Sequence, residues 1–136
     1  KEGLRDGTID IIATDHAPHD LADKQMEFSK ACFGIVGLET ALPLTLKMVD
    51  EKVITLQKAV DLLTQQPCRL FNLNKGNLGV GKDADIVIFN PKTQYTIEPE
   101  KFKSRSKNSP YKGWKVRGKV LHTLVAGKTV YSAYNE

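Results

Sequence analysis

The stretch IDIIATDHAPHD, residues 9–20, decides how the chain is read. A short apolar run rich in isoleucine ends abruptly in Asp15, His16, Pro18, His19 and Asp20. A run of this length and composition suits a strand buried on both faces, as in a parallel sheet. In α/β folds the carboxyl end of such a strand is where ligands and catalytic groups gather. A carboxylate at Asp15 can bind a metal or move a proton to and from a bound water. His16 and His19 add two groups that titrate near neutrality, and Pro18 stiffens the turn between them. The plainer alternative is a carboxylate capping a turn beside two polar loop histidines. Two histidines and one aspartate are not by themselves a complete metal site.

Outward from there the chain turns charged over 20–30, which reads as a loop. CFGIVGLET, residues 32–40, places Gly34 and Gly37 where backbones can approach closely. Leu38, Leu42, Leu46 and Val49 recur at helical spacing, and Pro43 is tolerated only near that helix's start. Thr55 reads as the N-cap of a second helix carrying Leu56, Val60 and Leu63. Pro67 ends that helix and can open a short one through Leu70 and Phe71. After Asn74 the character changes to β, with a strand over 85–89, a second over 95–99, and a hairpin broken at Ala126-Gly127-Lys128.

The totals set outer bounds. A chain of 136 residues with 40% apolar and 26% charged residues suits one globular domain. The net charge of +4 admits a nucleic-acid partner or an anionic substrate without demanding either. Cys32 and Cys68 form no CxxC and read as buried or free thiols of a reducing compartment. No signal peptide and no membrane-length apolar run is present. The chain opens at Lys1 and its first residues read like the middle of something, which suggests a piece of a larger protein.

Three further features carry less. GNLGVGKD, residues 76–83, has the spacing of a phosphate loop, but Asp83 stands where Ser or Thr would hold magnesium, and the stretch leads into a strand rather than a helix. It reads as two turns. Residues 101–119 hold eight basic residues interleaved with Phe102, Tyr111 and Trp114, a composition that fits either a nucleic-acid surface or a solvated loop with its aromatics packed down. Ser109-Pro110 and Gly113 favour the loop. His122, between Leu121 and Thr123, reads as a surface strand position.

Taken in order, IDIIATDHAPHD, FGIVGLETALPL (33–44), LLTQQPCRLFNL (62–73), GVGKDADIVIFN (79–90) and SKNSPYKGWKVRGKVLHTLVAGKTVY (106–131) resemble consecutive segments of the carboxyl third of bacterial-type dihydroorotases, members of the amidohydrolases. The resemblance implies an α/β fold: the C-terminal part of a (β/α)8 TIM-like barrel plus the C-terminal half of a small β-sandwich domain. Residues 1–75 would be the last strand and closing helices, and residues 76–136 the sandwich segment. The family reaction is the reversible, zinc-dependent hydrolysis of dihydroorotate to N-carbamoyl-L-aspartate in pyrimidine synthesis, in the cytoplasm. On this resemblance Asp15 is the zinc-binding, proton-shuttling aspartate, His19 hydrogen-bonds the substrate, and the backbone of Phe33 and Gly34 holds the ring. His16 receives no definite role. One or two Zn2+ ions are implied, but the family's other ligands, an early His-x-His pair, a carboxylated lysine and two further histidines, are not in these residues. The piece alone is therefore expected to be inactive.

The partners implied are the small-molecule substrate, the remainder of the same chain, a second copy, and aspartate transcarbamoylase; neither nucleic acid nor membrane is among them. Two alternatives stay open: an allantoinase- or dihydropyrimidinase-type cyclic amidohydrolase, which shares the fold but usually carries another residue in place of His19, and a non-catalytic homologue that uses the fold as a scaffold.

Overall fold

A computed structural model describes residues 1–134. It is α/β with one small sheet. The amino-terminal part carries α1 (Glu2–Asp6), α2 (Leu21–Lys24), a 3-10 turn (Leu38–Thr40), α3 (Ala41–Asp50), α4 (Leu56–Leu63) and α5 (Gln65–Leu70). The rest carries β1 (Ile86–Thr96), a 3-10 turn (Pro99–Lys101), β2 (Lys115–Val125) and β3 (Lys128–Ser132). The three strands form an antiparallel sheet in the order β1-β2-β3.

The helices follow their local chemistry. Leu38–Thr40 winds as a tight turn before α3 begins at Ala41, so Pro43 falls in the first α-helical turn, where its missing N–H costs nothing. The Thr55 hydroxyl accepts the Lys58 N–H at 3.1 Å and caps α4 as its sequence position requires. The break between α4 and α5 falls at Thr64 (φ −129°, ψ −81°), two residues earlier than Pro67 suggests, and the proline sits inside the first turn of α5. One turn of helix, α2, stands within the 20–30 segment read as loop, with the Lys24 N–H donating to the Asp20 carbonyl at 3.3 Å.

The largest departure concerns 9–13. This apolar run joins no ladder among the described residues. The Ile12 N–H donates to the Leu62 carbonyl at 3.1 Å and the Ile9 N–H to the Gly3 carbonyl at 2.9 Å, which are single tethers rather than a register. A strand exists only with a neighbour to take its backbone groups, and none of the described segments lies along this one. Only its end is paired: His16 forms an isolated parallel bridge with Ile35.

In the sheet, the strand expected over 85–89 and the one expected over 95–99 are a single long β1. It runs through Pro91 by breaking register between Asn90 and Gln94, which keeps the proline off the ladder. The β2–β3 turn is shorter than the sequence suggests. Lys128 already pairs with Val125, leaving Ala126 (φ 47°) and Gly127 (φ 75°) as the two turn residues. Positive φ at both is the type I′ geometry that matches strand twist.

Two apolar centres hold these parts. Val53, Ile54, Ala59 and Leu62 pack between α3 and α4, joined by Leu4, Ile12, Met48 and Val49. On the other side of α3, Leu46 is wholly buried against β2, where a Cβ on Gly118 would come within 2.2 Å of its Cδ1. Glycine is what lets strand and helix meet. Eight apolar residues are buried, whereas eighteen large apolar side chains are exposed among the described residues. No helix among the described residues is long and apolar enough to cross a membrane.

Candidate active-site segment

Two loops converge where the apolar run ends. The Ala17 N–H donates to the Ile35 carbonyl at 2.9 Å, which brings 14–17 alongside 34–38. The approach is so close that a Cβ on Gly34 would lie 2.4 Å from the Ala17 Cβ, and one on Gly37 would lie 2.8 Å from the Thr14 carbonyl oxygen. Gly34 also holds φ +107°, a region closed to ordinary side chains. Both glycines serve the close approach that the sequence suggests.

Asp15 sits at the tip of this junction with φ 45°, a left-handed conformation uncommon for a non-glycine residue and one that clusters at functional sites. Its side chain is exposed. His16 reaches the facing loop, where its Nδ1 accepts the Gly37 N–H at 3.1 Å. That bond assigns the neutral imidazole with its proton on Nε2 and makes His16 a brace between the two loops.

The carbonyl of Gly34 is fully engaged. It accepts from Lys24 Nζ at 3.0 Å and from Asn108 Nδ2 at 2.9 Å, while the Val36 N–H donates to the Asn108 carbonyl at 3.0 Å. Lys24 Nζ also donates to the Cys32 carbonyl. These bonds fix the backbone on both sides of Phe33, whose ring is 90% exposed. Asn108 and Lys24 are positioning residues that the sequence reading missed. Nothing in their local sequence marks them, because both act on a backbone carbonyl distant in the chain.

His19, Asp23 and Cys32 come together. One ligand atom from each lies within 4.8 Å of the others, with His19 and Cys32 half-buried and Asp23 exposed. Cys32 is a free thiol, as its sequence suggests, and the fold places it beside His19 and Asp23. The signal in the sequence was the four-residue spacing of His19 and Asp23 across α2; Cys32 joins only through the fold-back of 25–32.

A cavity of about 680 Å³ lies between α3 and the sheet, lined by His16, Leu42, Ile97, Phe102, Lys119 and Tyr131 among others. Asp15, His19, Phe33 and Gly34 do not line it. Tyr95, at its wall, has its phenol pushed up by burial. The basic segment 101–119 is tied to the fold. Glu39 accepts the Lys103 and Ser104 N–H groups at 3.0 and 3.1 Å, Lys101 pairs with Glu98, Lys112 with Glu100 and Arg117 with Asp50. Tyr111 packs edge-on to Trp114 at 5.1 Å. His122 is half-buried on β2, 5.5 Å from the Tyr134 ring, not the surface position expected. The 76–83 stretch forms turns leading into β1, with Lys75 pairing Asp83 at 3.0 Å and also Asp85.

A catalytic zinc needs three or four protein donors. Asp15, exposed and in none of the described side-chain hydrogen bonds or ion pairs, fits as one such ligand and cannot be the whole set.

Comparison with known proteins gives a consistent picture. The amidohydrolase family model matches residues 1–130. A dihydroorotase of Syntrophus aciditrophicus is 49% identical over 131 residues, 96% of this chain and 31% of that protein. A dihydroorotase of a Geobacillus species is 50% identical over 136 residues, 99% of this chain and 32% of that protein. Among solved structures, the dihydropyrimidinase of Brevibacillus agri superposes with a TM-score of 0.89 at 29% identity, over 96% of this chain and 30% of that one. The chain therefore spans about a third of the length of the proteins it matches.

Proposed function

We propose a function from the premise that this chain belongs to the amidohydrolase family: the whole protein is a dihydroorotase, opening the ring amide of dihydroorotate reversibly to N-carbamoyl-L-aspartate. The observation that carries this is identity near one half to proteins named dihydroorotase, sustained across the chain. Residues 1–75 are then the last strand and closing helices of a (β/α)8 barrel, and residues 76–136 half of a β-sandwich. The unpaired run 9–13 and the exposed apolar side chains support that division, since both need neighbours from the remainder of the protein. A second copy and aspartate transcarbamoylase are candidates for what that remainder leaves uncovered.

In this reading Asp15 is a ligand of one or two zinc ions. Zinc, when bound, acidifies the attacking water and polarises the amide carbonyl. Asp15 takes a proton from that water, and its protonated carboxyl then delivers the proton to the departing ring nitrogen. Its left-handed backbone, uncommon for a non-glycine residue, and its exposed side chain support that role. His19 hydrogen-bonds the substrate, and the Phe33 and Gly34 backbone positions the ring. With the Gly34 carbonyl already held by Lys24 and Asn108, the Phe33 N–H and C=O and the Gly34 N–H are the groups left to do so.

A second reading is favoured by the structural match to a dihydropyrimidinase: the same centre would act on an uncharged cyclic diamide. The two separate on substrate. The whole protein should turn over dihydroorotate with kcat/KM at least tenfold above dihydrouracil, and His19→Ala should reduce the dihydroorotate value. The reverse preference sinks the first reading, and unchanged kinetics in His19→Ala sinks the role of that residue.

A further inference from the structure

We propose that His19, Asp23 and Cys32 form a separate site for a divalent d10 cation, zinc or cadmium, and that filling it inhibits the enzyme. The donor set is imidazole nitrogen, carboxylate oxygen and thiolate sulfur, the mixture that suits a borderline or soft ion rather than magnesium or calcium. The three ligand atoms lie within 4.8 Å of one another. Zinc bond lengths place tetrahedral ligands about 3.5 Å apart, so closure asks for side-chain movements of about 1 Å.

The backbone holds the three together independently of any ion. Asp23 lies within the single turn α2, His19 stands two residues before it, and the Cys32 N–H donates to the Asp23 carbonyl at 3.2 Å. Lys24 Nζ locks the Cys32 carbonyl from the far side. That lysine is committed to two carbonyl oxygens. No described hydrogen bond or ion pair engages the side chains of His19, Asp23 or Cys32, and Cys32 is in no disulfide. Three convergent donors without partners are what an open three-ligand site presents, with water as the fourth ligand. Binding converts the Cys32 thiol to thiolate and releases one proton to solvent.

The inhibitory half rests on the role proposed for His19. An ion on its imidazole removes the nitrogen that would meet substrate and brings charge beside Phe33. The binding half does not depend on that role.

The test is a cadmium titration of the whole protein with its catalytic metal loaded. The ultraviolet thiolate-to-cadmium charge-transfer band reports cysteine ligation, and the loss of one equivalent of it in Cys32→Ser assigns it to Cys32. One equivalent should produce the band. Cys32→Ser should abolish it, Cys68→Ser should leave it, and His19→Ala and Asp23→Asn should each weaken cadmium binding about tenfold or more. Dihydroorotate turnover should fall with the same titration in wild type and not in Cys32→Ser. A band undiminished in Cys32→Ser, or affinity unchanged in His19→Ala and Asp23→Asn, overturns the site. A band with the expected mutant pattern but undiminished turnover upholds the site and overturns the inhibition.

Discussion

Replacing Gly34 by alanine attacks the junction that aligns 14–17 with 34–38. The residue holds φ +107°, and the new methyl would sit 2.4 Å from the Ala17 Cβ. Two costs add. A side chain in that region of φ costs about 1–3 kcal/mol. Carbon atoms pack at about 3.5–4.0 Å, so the loops must part by more than 1 Å, and overpacking of that kind costs about 1–3 kcal/mol. The sum is about 4 kcal/mol, close to a thousandfold in the folding equilibrium. Gly81 is the control: it holds φ +79° but nothing lies within 4 Å of its would-be Cβ, so Gly81→Ala bears only the conformational cost, about 1–2 kcal/mol. Urea unfolding of both variants in the whole protein, with KM for dihydroorotate, checks this. The Gly34 variant should lose about 2 kcal/mol more, the overpacking cost, and show the higher KM. Equal losses would refute the close-approach argument.

Three further outcomes are expected. Thr55→Ala removes the acceptor of the Lys58 N–H and should destabilise by about 1 kcal/mol in chemical unfolding. Ala126→Asn should stabilise by about 0.5–1 kcal/mol, because asparagine tolerates the positive φ that the turn imposes on Ala126; a loss would mean the turn is not type I′ in solution. Asp85, hydrogen-bonded by Lys75 and by the Ala126 N–H, has its carboxyl held below the usual range, as Lys112 does for Glu100. Their contribution is full above the unfolded carboxylate range near pH 4 and is lost as pH falls through the depressed values. Lys75 is raised by the same pair, so its share is full below its unfolded value and lost as pH rises through the raised one. Asp85→Asn should flatten the acid limb of the Tm profile and the alkaline limb contributed by Lys75.

What was legible in the sequence was local chemistry. Thr55 announced its cap, Ala126-Gly127 its turn, and Gly34 and Gly37 their close approach, because each depends on residues within a few positions or on the absence of a side chain. What was not legible depended on partners. The 9–13 run has strand composition but no described neighbour. The strands expected over 85–89 and 95–99 are one, because β1 carries Pro91 through a register shift. The α5 boundary was set by Thr64 rather than Pro67. Cys32 reached His19 only by a fold-back that no periodicity signals, and Lys24 and Asn108 serve a carbonyl that any residue type would present.

The central claim is that Asp15 carries the proton for hydrolysis of dihydroorotate. The direct measurement is turnover of dihydroorotate by the whole protein and by its Asp15→Asn variant, with metal content measured alongside. Asparagine keeps the left-handed backbone but cannot take a proton, so kcat should fall at least a hundredfold while the fold stays intact. Turnover within tenfold of wild type in a metal-loaded Asp15→Asn protein would contradict the account.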